Sequence, residues 1–141
     1  MKELIEELKS KFKIEEKDNF LIFEKEKIKE IFKFLKEKGF NFLSFITAIH
    51  YKDYFETVYC LRNININEII FLKTKINENE EIESLCEIYK GANWMEREIY
   101  DLFGIKFKNH PDLRRILLPD DYEGHPLRKD FRIDTPYKNW R

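Results

Sequence analysis

Two His-Pro dipeptides bracket the densest run of ionisable side chains in the chain. The stretch HPDLRRILLPDDYEGHPLRKDF, His110 to Phe131, holds three arginines, one lysine and five carboxylates. Imidazole beside a carboxylate is the usual pairing for general acid–base chemistry, and the same side chains ligate divalent metals. Acid–base work by His110 or His125 beside Asp112 or Asp130 needs a pocket, and no Gly-rich loop or nucleophile motif accompanies them. A metal site would have to be built from His50, His110 and His125. The last two stand fifteen residues apart, each is followed by proline, and neither has a Cys or His at ligand spacing. His-Pro also reads as a backbone device: the residue before proline is held extended, and Pro111 can open a helical turn over DLRRIL.

Other chemistries have less support. Neither GxxxxGK[ST] nor GxGxxG is present, so no nucleotide cradle is indicated. No CxxC pair is available for iron–sulfur ligation. Asp112, Asp120, Asp121, Glu123 and Asp130 interrupt the basic residues and argue against nucleic acid. A surface rich in Arg, aromatics and Pro is what a protein interface requires. Two readings of this stretch follow: a partner-binding surface, or a metal-dependent enzyme acting through His110 and His125. Metal analysis of wild type and of histidine variants separates them.

The elements that must position this stretch are legible from spacing. Leu4, Ile5, Leu8 and Phe12 line one face of a first helix, and NFLIF (19–23) suits a strand. Ile28, Ile31, Phe32 and Leu35 mark a second helix, stopped at Gly39. Strands follow at roughly 40–50, 54–62 and 68–76, joined by short polar links that imply antiparallel neighbours. Asn79 is read as the cap of a helix carrying Ile82, Leu85, Cys86 and Tyr89 and ending at Gly91. The last helix is ANWMEREIYDLF, with Asn93 as N-cap, Glu96 completing a capping box worth about 1 kcal/mol, and Gly104 as C-terminal stop. Its buried stripe is Ala92, Met95, Ile99, Leu102 and Phe103, with Arg97 and Asp101 opposite. Glu96 and Glu98 border the stripe and are expected to anchor Arg114, Arg115 and Arg128 of the tail, the four helix charges Glu96, Arg97, Glu98 and Asp101 forming the anchoring set. A solvated helix face is the plainer reading of the same charges.

The expected fold is therefore α+β: a mainly antiparallel sheet of about four strands with helices packed on it over residues 1–105. An extended, Pro-containing segment completes it over residues 106–141, where all four prolines lie. The balance of charge is uneven: residues 1–103 carry 17 basic and 21 acidic groups, residues 104–141 carry 9 and 6. The tail is thus locally basic and suited to an acidic partner. Cys60 and Cys86 read as free thiols of a reduced compartment. The amphipathic, acid-containing start is unlike a signal peptide, and no apolar run approaches the ~18 residues of a membrane span. The expectation is a cytoplasmic protein that meets a membrane only through partners.

NWMEREIYDLFGIKFKNHPDLRRILLPDDYEGHPLRKDF, residues 93–131, resembles the signature of the thirty-kilodalton subunit of respiratory complex I, an NADH dehydrogenase. Homologous subunits occur in quinone-reducing dehydrogenases and in energy-converting membrane-bound [NiFe] hydrogenases. The pattern ERExYDxxGIxFxxHPDLRRIL is met by Glu96, Arg97, Glu98, Asp101, Gly104, Ile105, Phe107, His110 and the residues Pro111 to Leu117. The following GHPLRKDF is met by Gly124 to Phe131. The resemblance implies a subunit with no redox cofactor of its own, packed against a large forty-nine-kilodalton-like or hydrogenase large subunit and beside a small iron–sulfur subunit. Quinone or [NiFe] chemistry and the iron–sulfur clusters are then expected in those partners. The interface residues it implies are His110, Arg114, Arg115, His125, Arg128, Lys129 and Asp130. The short run after the motif, DTPYKNWR, leads to the expectation of a hydrogenase-type complex rather than an NADH dehydrogenase.

Overall fold

A computed structural model describes residues 1–131; the last ten residues of the expected tail lie outside the described residues. The chain opens with α1 (Lys2–Phe12), followed by the short hairpin β1 (Glu15–Lys17) and β2 (Phe20–Ile22). Asp18 and Asn19 both take positive φ between them, the conformation of a two-residue turn that matches strand twist. A 3-10 turn at Lys25–Lys27 leads into α2 (Ile28–Glu37). Three long strands follow, β3 (Phe42–His50), β4 (Tyr54–Asn63) and β5 (Glu68–Asn77). After them come β6 (Glu81–Glu83), α3 (Ala92–Phe103) and β7 (Lys106–Lys108).

The main sheet has five strands in the order β1-β2-β5-β4-β3, antiparallel except where β2 pairs with β5. This is the expected α+β class with a mainly antiparallel sheet, enlarged because NFLIF lies in a hairpin rather than a lone strand. The helices lie on one face. There Ile28, Ile31, Phe32 and Leu35, the stripe that spacing predicts for α2, are buried against the strands. Phe32 is the hub: its ring meets Tyr59 at 5.1 Å, Phe23 at 5.7 Å and Tyr89 at 6.4 Å, edge-on in each case. Such edge-to-face pairs add to the burial of each ring. The Tyr89 hydroxyl donates to the Phe40 carbonyl, so its polar end is satisfied inside the core.

The expected helix over 79–91 is not formed. Asn79 turns the chain with positive φ, and Glu81–Glu83 pair in parallel with Lys106–Lys108. Leu85, Ile88 and Tyr89 are then buried by turns in which the Leu85 carbonyl accepts from Ile88 and Tyr89. Short apolar runs carry helix-like spacing whenever successive turns point inward, and here a ladder to a distant segment took the first three residues. That ladder also places Lys106–Lys108, counted above with the tail, inside a sheet.

The two faces of the main sheet differ in kind, and mutation should separate them. Phe32→Ala is expected to cost about 3–5 kcal/mol in urea unfolding. Phe45→Ala, on the opposite face and 39% exposed, is expected to cost about 1 kcal/mol or less. Equal losses would mean that the outer face is covered in the free chain.

Candidate partner interface

Helix α3 carries the four residues of the predicted anchoring set, and the structure uses Asp101, Arg97 and Glu96 differently and leaves Glu98 exposed. Asp101 is fully buried. Its carboxylate accepts from Arg115 Nη1 at 2.8 Å and from the backbone N–H groups of Ile116 (3.2 Å), Leu117 (2.7 Å) and Leu118 (3.1 Å). Arg97, one turn earlier, donates from Nε to the Arg114 carbonyl at 3.2 Å and from Nη2 to the Arg115 carbonyl at 3.4 Å. Arg97 and Asp101 therefore do not act as a solvated i,i+4 pair. One takes the carbonyls of the crossing segment and the other takes its N–H groups.

The same segment satisfies the end of the helix. The last carbonyls of an α-helix have no partner within it. Here the Asp101 carbonyl accepts from Arg115 Nη1 (3.0 Å) and His125 Nδ1 (2.9 Å), and the Leu102 carbonyl accepts from the Leu127 N–H (2.9 Å). Gly104 closes the helix at φ 80°, as its position predicts. A second constraint acts there: a Cβ at 104 would lie 2.8 Å from the His125 ring. A cation at this end also suits the helix dipole, which favours Arg115 over a neutral side chain. Burial opposes the Asp101 charge, but Arg115 and the three N–H groups outweigh it and hold the carboxyl below its ordinary range. For His125 burial is the leading cause of a lowered pKa, with Arg115 and Arg128 adding to it.

Glu96 serves a different neighbour. Gly91, not Asn93, stands at the N-cap position, and no side chain caps the helix. The Glu96 carboxylate is fully buried and accepts from Ser84 Oγ (2.6 Å), the Leu85 N–H (2.8 Å) and Cys86 Sγ (3.3 Å). Burial pushes its carboxyl up to about 7 against those three donors, and burial likewise pushes the Cys86 thiol up to about 11. No tail arginine reaches Glu96. Glu98 is exposed and forms no ion pair among the described residues. The expected anchoring of Arg114, Arg115 and Arg128 by Glu96 and Glu98 is corrected: Arg115 pairs with Asp101, Arg114 with its own neighbour Asp112 (3.0 Å), and Arg128 with Asp130 (3.4 Å) and Glu78 (3.7 Å).

The three histidines occupy three separate places. His50 Nδ1 accepts the Lys129 N–H at 2.8 Å, its Nε2 meets Glu78 at 3.1 Å, and its ring stacks on Phe55. His125 sits under the end of α3. His110 Nδ1 accepts the Asp112 N–H at 2.9 Å, which leaves the hydrogen on Nε2 to be donated to the Asn93 carbonyl at 3.1 Å. Cys86, Glu96 and His110 do offer ligand atoms within 4.8 Å of one another. A metal would need the lone pair of His110 Nε2, which in this tautomer is an N–H, and the Glu96 oxygens already serve three donors. Glu96 ties α3 to the turn at Ser84–Cys86, while His110, its Nε2 3.9 Å from Glu96 Oε1, ties the start of the ribbon to the Asn93 carbonyl.

The ribbon 110–131 is thus gripped at Asp101, Leu102 and His50, while another side of it faces outward. Leu117 is 59% exposed, Leu127 52%, and Trp94, on which Arg97 stacks, 63%. Arg114, Lys129 and Asp130 are exposed as well. Spacing singles out none of Trp94, Leu117, Leu127 and Ser84, and it offers His50 only as a candidate metal ligand. An exposed Trp in a capped helix and two leucines in a charged ribbon were the available signals.

Residues 21–137 match the family described as the respiratory-chain NADH dehydrogenase 30 Kd subunit. The chain is similar to a NADH-quinone oxidoreductase subunit of Geotalea uraniireducens, 46% identical over 82% of this chain and 74% of the relative. It is also similar to the subunit of the same name in Trichlorobacter lovleyi, 39% identical over 94% and 90%. Among solved structures, a trypsin-resistant fragment of Nqo5 superposes with a TM-score of 0.71 at 29% identity, covering 79% of this chain and 98% of that one. A chain of the membrane-bound sulfane sulfur reductase, an archaeal respiratory membrane complex, superposes with a TM-score of 0.80 at 27% identity, covering 94% and 85%.

Asp101→Asn should free the ribbon, because breaking a buried charged pair costs about 3–5 kcal/mol. Tryptic cleavage after Arg114, Arg115 and Arg128 is expected to quicken by about tenfold or more, while Glu98→Lys leaves it unchanged. Slow cleavage in both variants would show that Asp101 does not hold the ribbon. Glu96 predicts a pH effect of definite sign. Its folded carboxyl titrates at about 7, above the unfolded value of about 4.3, so the folded chain binds the extra proton between them. Stability contributed by that proton is lost as pH rises through this window, about 2–3 kcal/mol between pH 5 and 8. His125 works the opposite way, since its pKa is lowered. Urea unfolding of wild type and Glu96→Gln at both pH values isolates the Glu96 contribution; equal slopes in the two proteins would remove it.

Proposed function

The chain belongs to the family of the 30 Kd subunit of the respiratory-chain NADH dehydrogenase, and from that premise we propose that it is a non-catalytic docking subunit. In this reading it sits in the peripheral arm of a complex I-like, membrane-associated oxidoreductase and holds the large catalytic subunit. The observation that carries the proposal is the ribbon at the end of α3. Its backbone is fixed internally by Asp101 and Arg97, so the exposed Leu117, Leu127 and Trp94 are displayed on a rigid frame. A surface ordered before contact avoids the entropy of ordering a loop upon binding.

Nothing in the geometry of the described residues calls for catalysis by this chain. Its histidines are engaged with backbone groups and Glu78, and its two cysteines are free and lie 26 positions apart in sequence. Quinone or [NiFe] chemistry and iron–sulfur clusters would belong to neighbours, a large subunit and a small iron–sulfur subunit. Among the described residues no helix is long and apolar enough to cross a membrane, so membrane attachment in this reading runs through those neighbours.

The similarity to relatives named as subunits of NADH-quinone oxidoreductase favours a quinone-reducing assembly. The likeness to a chain of the sulfane sulfur reductase, which spans 94% of this chain, supports a second reading in which the acceptor is not a quinone. A hydrogenase-type assembly is the version of that reading expected from the sequence. Cysteines of the co-purifying large subunit discriminate: two CxxC pairs indicate a [NiFe] centre, their lack a quinone-type enzyme.

Purification of the tagged chain in mild detergent is expected to bring the large subunit with it at equal stoichiometry. Leu117→Asp and Leu127→Asp should weaken that association by about tenfold or more each, as truncating a buried interface anchor does, with unfolding of the isolated chain unchanged. Wild-type retention by both variants, or recovery of the free chain alone, would overturn the proposal.

A further inference from the structure

We propose that the outer face of the main sheet is a second docking surface, separate from the ribbon, and that it receives a protein partner whose contact segment is apolar and carries carboxylates. The inference rests on the reading above that the chain works in an assembly, and goes beyond it in naming a face and the chemistry of its occupant.

Cross-strand register builds the face. Phe45 pairs with Cys60, Cys60 with Phe71, and Phe71 with Phe20, so one apolar row crosses four strands on the side away from the helices. Phe71 lies 5.8 Å from Phe20 and 6.3 Å from Phe45, ring centre to ring centre. Cys60 is covered, only 4% exposed, whereas Phe45 is 39%, Ile69 39% and Ile49 42% exposed. At the open end of the strands Phe42 stands 47% exposed beside the turn that carries Ile64, 60% exposed. A contiguous exposed apolar patch of this kind marks a contact site.

Charge selects the occupant. The cross-strand partners on this face include Lys17, Arg62, Lys73 and Lys75 against Glu15 and Glu56, an excess of two cations. Glu56 is already engaged with Lys73 at 3.8 Å, and Lys75 lies over the Tyr54 ring. Arg62, opposite Phe42 and Ile69, has a buried Nε with no hydrogen-bond partner among the described residues. The residue is only half-buried, so Arg62 borders this face and adds to the positive charge that a partner's carboxylates would pair with. A second copy of this chain would set the same excess of cations against itself. The ten residues beyond 131 are no better suited, with Arg132, Lys138 and Arg141 against Asp134. A different protein, apolar with acidic residues, matches both the hydrophobic row and the excess of cations.

The test uses the assembled complex. Hydroxyl-radical footprinting of the chain in the complex and alone reads the two surfaces separately. Protection of Phe45, Phe71 and Ile69 by about fivefold or more in the complex is expected, along with protection of Leu117 and Leu127. Phe45→p-benzoylphenylalanine should then cross-link to a segment of another subunit containing Asp or Glu. Arg62→Glu should reduce that cross-link by about tenfold, and Arg62→Lys should retain most of it. Protection of the ribbon with an open sheet face overturns this inference alone. Both surfaces open overturns the docking function as well. Cross-links to a second copy, to residues 132–141 of the same chain, or to a segment without acids also overturn it.

Discussion

The segment from α3 to residue 131 is organised around the end of α3, where Asp101 is buried at the point at which a helix leaves its last carbonyls unsatisfied. A carboxylate in such a place is unfavourable unless it is fully bonded. The chain meets the requirement with a segment that has no ladder or helix of its own. Three successive N–H groups, Ile116 to Leu118, converge on one carboxylate, and the guanidinium of Arg115 fills the remaining side while also taking the Asp101 carbonyl. Each party is unsatisfied without the other. The helix needs donors, and the ribbon needs acceptors and a fixed course.

That mutual dependence explains why a region with so many arginines and histidines is not a reaction centre in this reading. Its ionisable groups are largely consumed in positioning. His110, His125 and His50 each use a ring nitrogen on a backbone group at a different point along the ribbon. Arg97 and Arg115 use theirs on four carbonyls, those of Arg114 and Arg115, Asp101 and Gly124. What faces outward is mixed: Leu117, Leu127 and Trp94 stand exposed among the charges of Arg114, Lys129 and Asp130. Of the arginines expected at an interface, Arg115 turns inward, bonded to Asp101 and to the Gly124 carbonyl.

Much of this was legible in the sequence, and the failures share one cause. Periodicity located α1, α2, α3 and the three long strands because each buries one face against the core, and the period of the pattern is the period of the element. Gly104 as the stop of α3 was legible because a left-handed stop is a local backbone requirement, whereas the close approach of His125 to it was not. The readings that failed concerned residues whose partners are remote in sequence. Glu96 looks like a capping residue at three positions from Asn93, yet its carboxylate is taken by Ser84, Leu85 and Cys86. Glu81–Glu83 look helical until Lys106–Lys108 return to pair with them. Arg97 and Asp101, placed in the anchoring set, do hold the ribbon, but largely through its backbone groups, which no local rule shows. The motif from Glu96 to Phe131 was recognisable as a pattern, but the division of labour inside it is a property of the fold.

The arrangement of the two exposed surfaces follows from the same economy of layers. Helices cover one face of the main sheet, and α3 with its ribbon packs at the β3 end on that side, where the Phe103 and Phe55 rings meet edge-on at 6.3 Å. The opposite face has no layer of its own among the described residues, and its apolar row is continuous across four strands. A two-layer domain of this size can remain folded with one face open, because the inner layer alone buries the Phe32 cluster and its surrounding aliphatics. Retaining phenylalanine and isoleucine on the open face works against solubility unless a neighbour covers them. In the proposed reading, a ribbon on one side of the sheet and an uncovered apolar sheet on the other would let the domain act as a spacer between two protein surfaces.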